Sequence, residues 1–203
     1  YLLITMAEGA ENKNRLYAAD LGDPKAPKIS ASVRPVVETD DAEYAPVGNS
    51  GSTIFVRSDR NAPNRIVAAI DLAARTFAMT TVVAERKEAI EAVSLIGGEL
   101  VCQYLVDVQS KLLRFDLKGT PKGEIALPGT GTVGAISGRQ DAKDVWYSFT
   151  SPLSPSTVYA FSHATSKSTP FEAATPPVDT SGYETIASFA TSKDGTKVPF
   201  FLT

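Results

Sequence analysis

TIFVRSDRNAPNRIVAAIDL, residues 53–72, is the stretch that decides the fold. An apolar run rich in β-branched residues leads into a polar turn holding Asn61, Pro63 and Asn64, and a second apolar run closes on Asp71-Leu72. Branched side chains suit a pleated surface and Asn and Pro suit turns, so the pattern reads strand, turn, strand. Variants recur at Tyr1 to Leu21, ending RLYAADL, and at Glu99 to Leu117, ending KLLRFDL. A looser copy runs from Asp144 to His163 and ends TVYAFSH. Asp20, Asp71, Asp116 and Ser162 mark the four endings, at spacings of 51, 45 and 46 residues. One hairpin repeated every roughly 40 to 50 residues is the mark of four-stranded propeller blades, so an all-β propeller array is expected.

Working outward, residues 1–38 read as strand, turn at Glu8 to Asn12, strand 15–21, a Gly/Asp/Pro turn at 22–27 and a third strand over 29–38, with the strand expected before Tyr1 outside the sequence. Full units follow at about 41–84, 89–128 and 132–175. Glu85 to Leu95 brings Ala89, Ala92, Val93 and Ile96 to helical spacing, but the repeat register demands a turn and then a strand near 91–96, and the register is followed. Gly97-Gly98 then turns into an apolar strand, Leu100 to Val106, and Asp107 to Ser110 turns back into Lys111 to Leu117. In the last unit Pro152 and Pro155 lack an N–H to donate, so their whole turn is expected to stand clear of the ladder before the strand Thr157 to Phe161. Ser168 to Ala173 is the expected outer strand. Composition shifts at Thr175-Pro176-Pro177. Beyond it Tyr183 to Ala190 and Val198 to Leu202 flank an Asp194-Gly195 turn, a hairpin that does not fit the repeat. The expected domains are therefore 1–177, a partial propeller of about four blades, and 178–203, a linker and the first hairpin of something different.

Composition excludes several functions. Twenty Lys and Arg against 23 Asp and Glu, with both signs mixed along 203 residues, make neither a nucleic-acid footprint nor a polybasic membrane patch. No apolar run approaches transmembrane length. A single cysteine, Cys102, permits no intrachain disulfide, and between Val101 and Gln103 it reads as a buried thiol.

Candidate chemistry is equally thin. Gly48-Asn49-Ser50-Gly51-Ser52 is the nearest approach to a nucleophile elbow, but a strand follows it and Ser52 stands where the second glycine belongs, so it reads as a blade turn. His163 is the only histidine and is expected just past a strand, facing solvent. One histidine and one cysteine exclude the common zinc clusters, and the turn acids Asp40, Asp41, Asp59, Asp141 and Asp144 lack the alternation of a calcium loop. Gly129 to Gly134 has no phosphate-loop lysine and reads as a connection between blades. Asp20, Asp71 and Asp116 share a position that a turn aspartate accepting backbone N–H groups explains. Phe55, Tyr104, Phe115, Trp146, Tyr147, Phe149 and Tyr159 fall mostly in strands, where blade stacking calls for large rings.

FTSPLSPSTVY at 149–159 and YETIASFATSKDGTKVPFF at 183–201 resemble the prolyl oligopeptidases, serine peptidases of family S9 in which a seven-bladed propeller covers an α/β-hydrolase domain. EGAENKNRLY at 8–17, APNR at 62–65 and QYLVDVQ at 103–109 support the resemblance. It implies that this sequence is the later part of such a propeller, ending in the hairpin that enters the α/β-hydrolase domain, with the remaining blades and that domain outside it, in the same polypeptide or a separate one. It further implies an enzyme that cleaves short peptides after proline, with the propeller filtering what enters. The family's nucleophile, acid and base lie in the later domain. So no catalytic residue, metal ligand or cofactor is expected here; Cys102 and Gln103 lie in a strand near the family's cavity, with no substrate contact assigned to either. A cytoplasmic setting is the family expectation, with a periplasmic or secreted form as the alternative. The competing reading is a stand-alone propeller-like module that binds a protein or peptide at its connecting loops.

Overall fold

The computed structural model describes residues 1–172 and 178–203, and among them the regular structure is all β, without a helix. It divides into two compact units, 1–87 and 88–203.

The first unit holds two antiparallel sheets, each in chain order. One pairs β1 (Leu2–Ala7), β2 (Asn14–Ala19) and β3 (Val33–Val37); the other pairs β4 (Tyr44–Ser50), β5 (Thr53–Ser58), β6 (Ile66–Asp71) and β7 (Met79–Val83). The deciding stretch is β5 and β6, in unbroken register from Thr53↔Asp71 to Ser58↔Ile66. Leu16 and Ala18 of the first sheet pack with Ile54, Val56, Ala68 and Ile70 of the second, all buried. Apolar burial contributes about 25 cal/mol per Å², so the side chains enclosed between the sheets hold them together. Asn14 bridges the pair at depth: its amide donates to the Tyr44 carbonyl at 3.1 Å, and the Tyr44 N–H donates back to its Oδ1 at 2.8 Å.

The second unit repeats the plan. Its sheets are β8 (Ile90–Ile96), β9 (Glu99–Val106), β10 (Gln109–Phe115) and β11 (Pro121–Ile125), then β12 (Thr132–Ser137), β13 (Asp144–Ser151), β14 (Ser154–Ser162) and β15 (Lys167–Glu172). A separate hairpin, β16 (Ile186–Thr191) with β17 (Lys197–Leu202), follows. Ile96, Val101, Leu112 and Ile125 pack against Val133, Val145, Tyr147, Phe149 and Phe161, with Tyr159 against them, which places Tyr147, Phe149 and Tyr159 of the expected rings between the sheets. The ambiguous segment 85–95 enters strand β8, as the register required, with Ile90 and Ile96 buried. Ala173, the expected end of the outer strand, and the boundary at Thr175-Pro176-Pro177 lie outside the described residues.

Two expectations change. Pro155 does not stand clear of the sheet but lies inside β14, a central strand. The ladder accommodates it because the β13–β14 register jumps from Ser151↔Ser154 to Phe149↔Thr157, leaving Pro155 and Ser156 without a cross-strand partner. Pro35, Pro46, Pro121, Pro170 and Pro199 all sit in strands at a sheet edge, where a missing donor costs no ladder bond. His163, expected to face solvent, is folded inward between the two sheets of the second unit, as described below.

Register irregularities follow a pattern. Bulges interrupt the first strand of each full sheet, between Pro46 and Gly48, Ile90 and Ala92, and Val133 and Ile136, and third-to-fourth pairings break as well. The central pairs β5–β6 and β9–β10 run without a break.

Candidate functional site

The sheets of the second unit have two ends. The first-to-second and third-to-fourth turns lie at one, and the second-to-third turns and the sheet-to-sheet connection lie at the other.

At the first end the two sheets are clamped. The N–H groups of Gly97 and Gly98 donate to the carbonyls of Arg139 and Gln140 at 3.4 and 3.1 Å. His163 sits under this turn, its N–H on the Lys143 carbonyl at 3.2 Å and its ring edge-on to Phe161. Its Nδ1 lies 3.4 Å from Glu99 Oε2, an oxygen that also takes Arg114 Nη1 at 3.0 Å. The Arg114 guanidinium covers the Phe161 ring at 4.8 Å. Among the described residues no serine or cysteine hydrogen-bonds either ring nitrogen, and the histidine is held as packing. Sequence alternation gave no sign of Arg114 as a buried residue, because the surface it fills belongs to the next sheet.

The remaining candidates resolve into structure. Ser52 Oγ donates to Asp71 Oδ1 at 2.7 Å, an exposed hydroxyl–carboxylate pair without an imidazole. That bond, with the Ala73 N–H, holds the Asp71 carboxyl below its ordinary value. The Thr120 N–H does the same for Asp116, joined by that of Lys118, and Asp20 accepts from the Gly22 N–H at 2.9 Å. All three are turn aspartates, as the repeat implied. Asp59 accepts from the Glu43 N–H, whereas Asp40 pairs with Arg15 and Asp141 takes both arms of Arg139. Asp41 accepts from the Tyr44 hydroxyl at 2.7 Å, which lowers its carboxyl, while burial raises the phenol. Among the described residues no group of three acids, histidines or cysteines could hold a metal.

Cys102 is fully buried and burial pushes its thiol up to about 12. Gln103 is buried too. Its amide donates to the Val133 carbonyl and to Glu91 at 3.1 Å, while Ser110 Oγ receives the Val133 N–H at 3.0 Å. These side chains seat the start of β12, as Asn14 seats β4 in the first unit. Gly131 completes the seat, since a Cβ there would run into the Thr150 carbonyl and the Phe149 ring. The glycine-bearing connection is thus a packing device.

The other end carries the exposed features. A groove of about 250 Å³ is lined by Pro128, Phe149, Leu153, Thr157, Tyr159 and Thr185, among others, and among the described residues no charged side chain borders it. Thr185 precedes β16 and its hydroxyl meets that of Thr203 at 3.1 Å, so the final hairpin starts and finishes beside this end. The β9–β10 turn, Asp107-Val108, lies at the same end, with both residues at positive φ and the Val108 and Leu105 side chains exposed. Apart from Asp107, what the described residues present at this end is hydroxyls and apolar tips, a surface suited to holding a partner.

Known proteins share this sequence pattern and fold. The family model for the prolyl oligopeptidase N-terminal β-propeller domain matches residues 1–174. A prolyl endopeptidase of Elizabethkingia miricola is 31% identical over 201 residues, covering 98% of this chain and 28% of that protein. The prolyl oligopeptidase ophP of Omphalotus olearius is 32% identical over 169 residues, 80% of this chain and 23% of that one. Among solved structures, one from a study of two prolyl endopeptidases superposes with a TM-score of 0.87 at 34% identity, covering 98% of this chain and 29% of the other. Prolyl oligopeptidase B of Galerina marginata has the same fold, with a TM-score of 0.87 at 23% identity over 98% of this chain and 29% of its own. The chain spans about 28% of the length of the first of these relatives.

Proposed function

The chain belongs to the prolyl oligopeptidase family, in its N-terminal β-propeller domain, and from that membership we propose that it serves as part of the substrate filter of a serine peptidase that cleaves short peptides after proline. The observation that carries this is the family match over residues 1–174, joined to strands whose candidate Ser, His, Cys and Asp side chains are all consumed by packing and turns. In this reading the chemistry belongs to an α/β-hydrolase domain elsewhere in the polypeptide, residues 178–203 are the linker and opening hairpin of that domain, and the blades restrict entry to short, proline-containing peptides. No helix among the described residues is long and apolar enough to cross a membrane. A cytoplasmic setting is the compartment that goes with the family reading, and fractionation of the source cells checks it.

The test is a chromogenic peptide with proline before the scissile bond. The full-length polypeptide turns it over and the purified 203-residue chain does not. Turnover by the purified 203-residue chain that is lost on His163→Ala would place the machinery in these sheets and overturn the proposal.

A further inference from the structure

Val108 occupies a conformation that its residue type resists. Asp107 and Val108 form the two-residue β9–β10 turn with φ of 47° and 63°, the geometry of a type I′ hairpin loop, where Asn-Gly and Asp-Gly are the usual occupants. Aspartate tolerates positive φ, but a β-branched side chain meets its own backbone there, and glycine in its place would not. Of the described non-glycine residues at positive φ, which are Asn61, Arg65, Asp107, Val108 and Ser166, Val108 is the only branched apolar one. Its side chain does not repack into the sheet: Val108 is 36% exposed and Leu105, on the preceding strand, 41%. A strained backbone holding two apolar side chains outward is a feature whose use lies outside the sheet that bears it.

The neighbourhood indicates what it meets. Thr185 lines a groove with Pro128 and Leu153, and its hydroxyl touches that of Thr203. Both ends of the β16–β17 hairpin therefore stand at the end of the unit that carries the Asp107-Val108 turn, and any chain beyond Thr203 sets out from there. Relatives run to more than three times the span matched here, which leaves ample chain to settle on that end.

We propose that the Asp107-Val108 tip, with Leu105, is a docking point for the domain that follows Thr203 in the full-length polypeptide, and that the strained valine is kept because its methyl groups seat against that domain. This rests on reading the chain as the propeller part of a larger peptidase. The tip then sets how firmly the two domains close, and through closure how efficiently peptides are processed.

The experiment uses the full-length polypeptide with Val108→Glu, which places a charge at the contact, and Val108→Gly, which relieves the strain and deletes the methyls. Two readouts are compared with wild type: kcat/KM on a proline-containing chromogenic peptide, and the rate of trypsin cleavage between the domains. Both variants are expected to lower kcat/KM about threefold or more and to speed interdomain cleavage. Val108→Gly is expected to melt no lower than wild type, which separates lost docking from lost folding. Wild-type kcat/KM and wild-type trypsin resistance in both variants would overturn the docking role. A dimer that dissociates on Val108→Glu, seen by light scattering, would overturn it too by giving the tip to a second copy. A wild-type protein without peptidase activity would sink the proposed function instead, and the trypsin comparison would still decide the docking.

Discussion

Gly97 and Gly98 offer a sharp test of the clamp between the sheets of the second unit. Both have positive φ, +61° and +74°, so alanine at either pays the left-handed penalty of about 1–2 kcal/mol. Only Gly97 is enclosed. A Cβ there would lie 2.6 Å from His163 Nε2 and 2.8 Å from the Ala142 carbonyl oxygen, whereas one at Gly98 meets nothing within 4 Å. Overpacking a filled site adds about 1–3 kcal/mol, so Gly97→Ala should lose about 2–5 kcal/mol and Gly98→Ala about 1–2. With a urea m-value of about 2 kcal/mol/M, the two midpoints should differ by about 0.5–1.5 M. Fluorescence of Trp146, the only tryptophan and a residue of β13 in the same unit, is a suitable probe. Adding His163→Ala to Gly97→Ala should recover part of the loss, because it removes the ring but leaves the Ala142 carbonyl in place. Equal midpoints for the two single variants would refute the close approach and the inward histidine with it.

Asn14→Ala should cost about 2–4 kcal/mol in urea unfolding, because it strands the N–H and carbonyl of buried Tyr44 together. Cys102 should remain unreactive to a disulfide reagent at pH 8 in the folded chain and titrate fully in urea, since only the thiolate reacts and burial holds it protonated. Acid should weaken the fold in a defined direction. Asp41, Asp71, Asp116, Asp141, Asp179 and Asp194 are all lowered in the folded state. Their contribution is complete above the unfolded value of about 3.9 and fades as pH falls through the lower folded values. Urea midpoints should therefore hold from pH 7 to 5 and drop below about pH 4; a midpoint that rises on acidification contradicts the assignment.

The repeat was legible because it rests on local chemistry. Apolar runs of β-branched residues, turn-forming Asn, Asp and Gly, and a constant period place most strands without reference to neighbours, and the period even overruled the helical spacing at 85–95. What stayed hidden depends on the adjoining sheet. Nothing near His163 in sequence says that Gly97, more than sixty residues earlier, will roof it. Arg114 reads as a surface cation until Glu99 and the Phe161 ring close around it. Pro155 was misplaced because a lost donor is decisive only if the ladder stays in register at that point. Of the candidate site, the turn roles of Asp20, Asp71 and Asp116 were legible from their shared place at the end of a repeat. The seats made by Asn14, Gln103 and Ser110 were not, since their partners lie in the next sheet.

The distribution of register breaks has a consequence for how these sheets come apart. Hydrogen bonds next to a bulge are fewer and more open to water, so opening begins where the ladder is already interrupted. First and fourth strands should exchange their amide protons early, while β5–β6 and β9–β10 hold theirs until global unfolding. These two sheets then have a slow-exchanging spine and two fraying margins, whereas the break at Pro155 opens the central pair β13–β14 earlier. The twenty residues from Thr53 to Leu72 form such a spine, the part of their sheet that is last to let go.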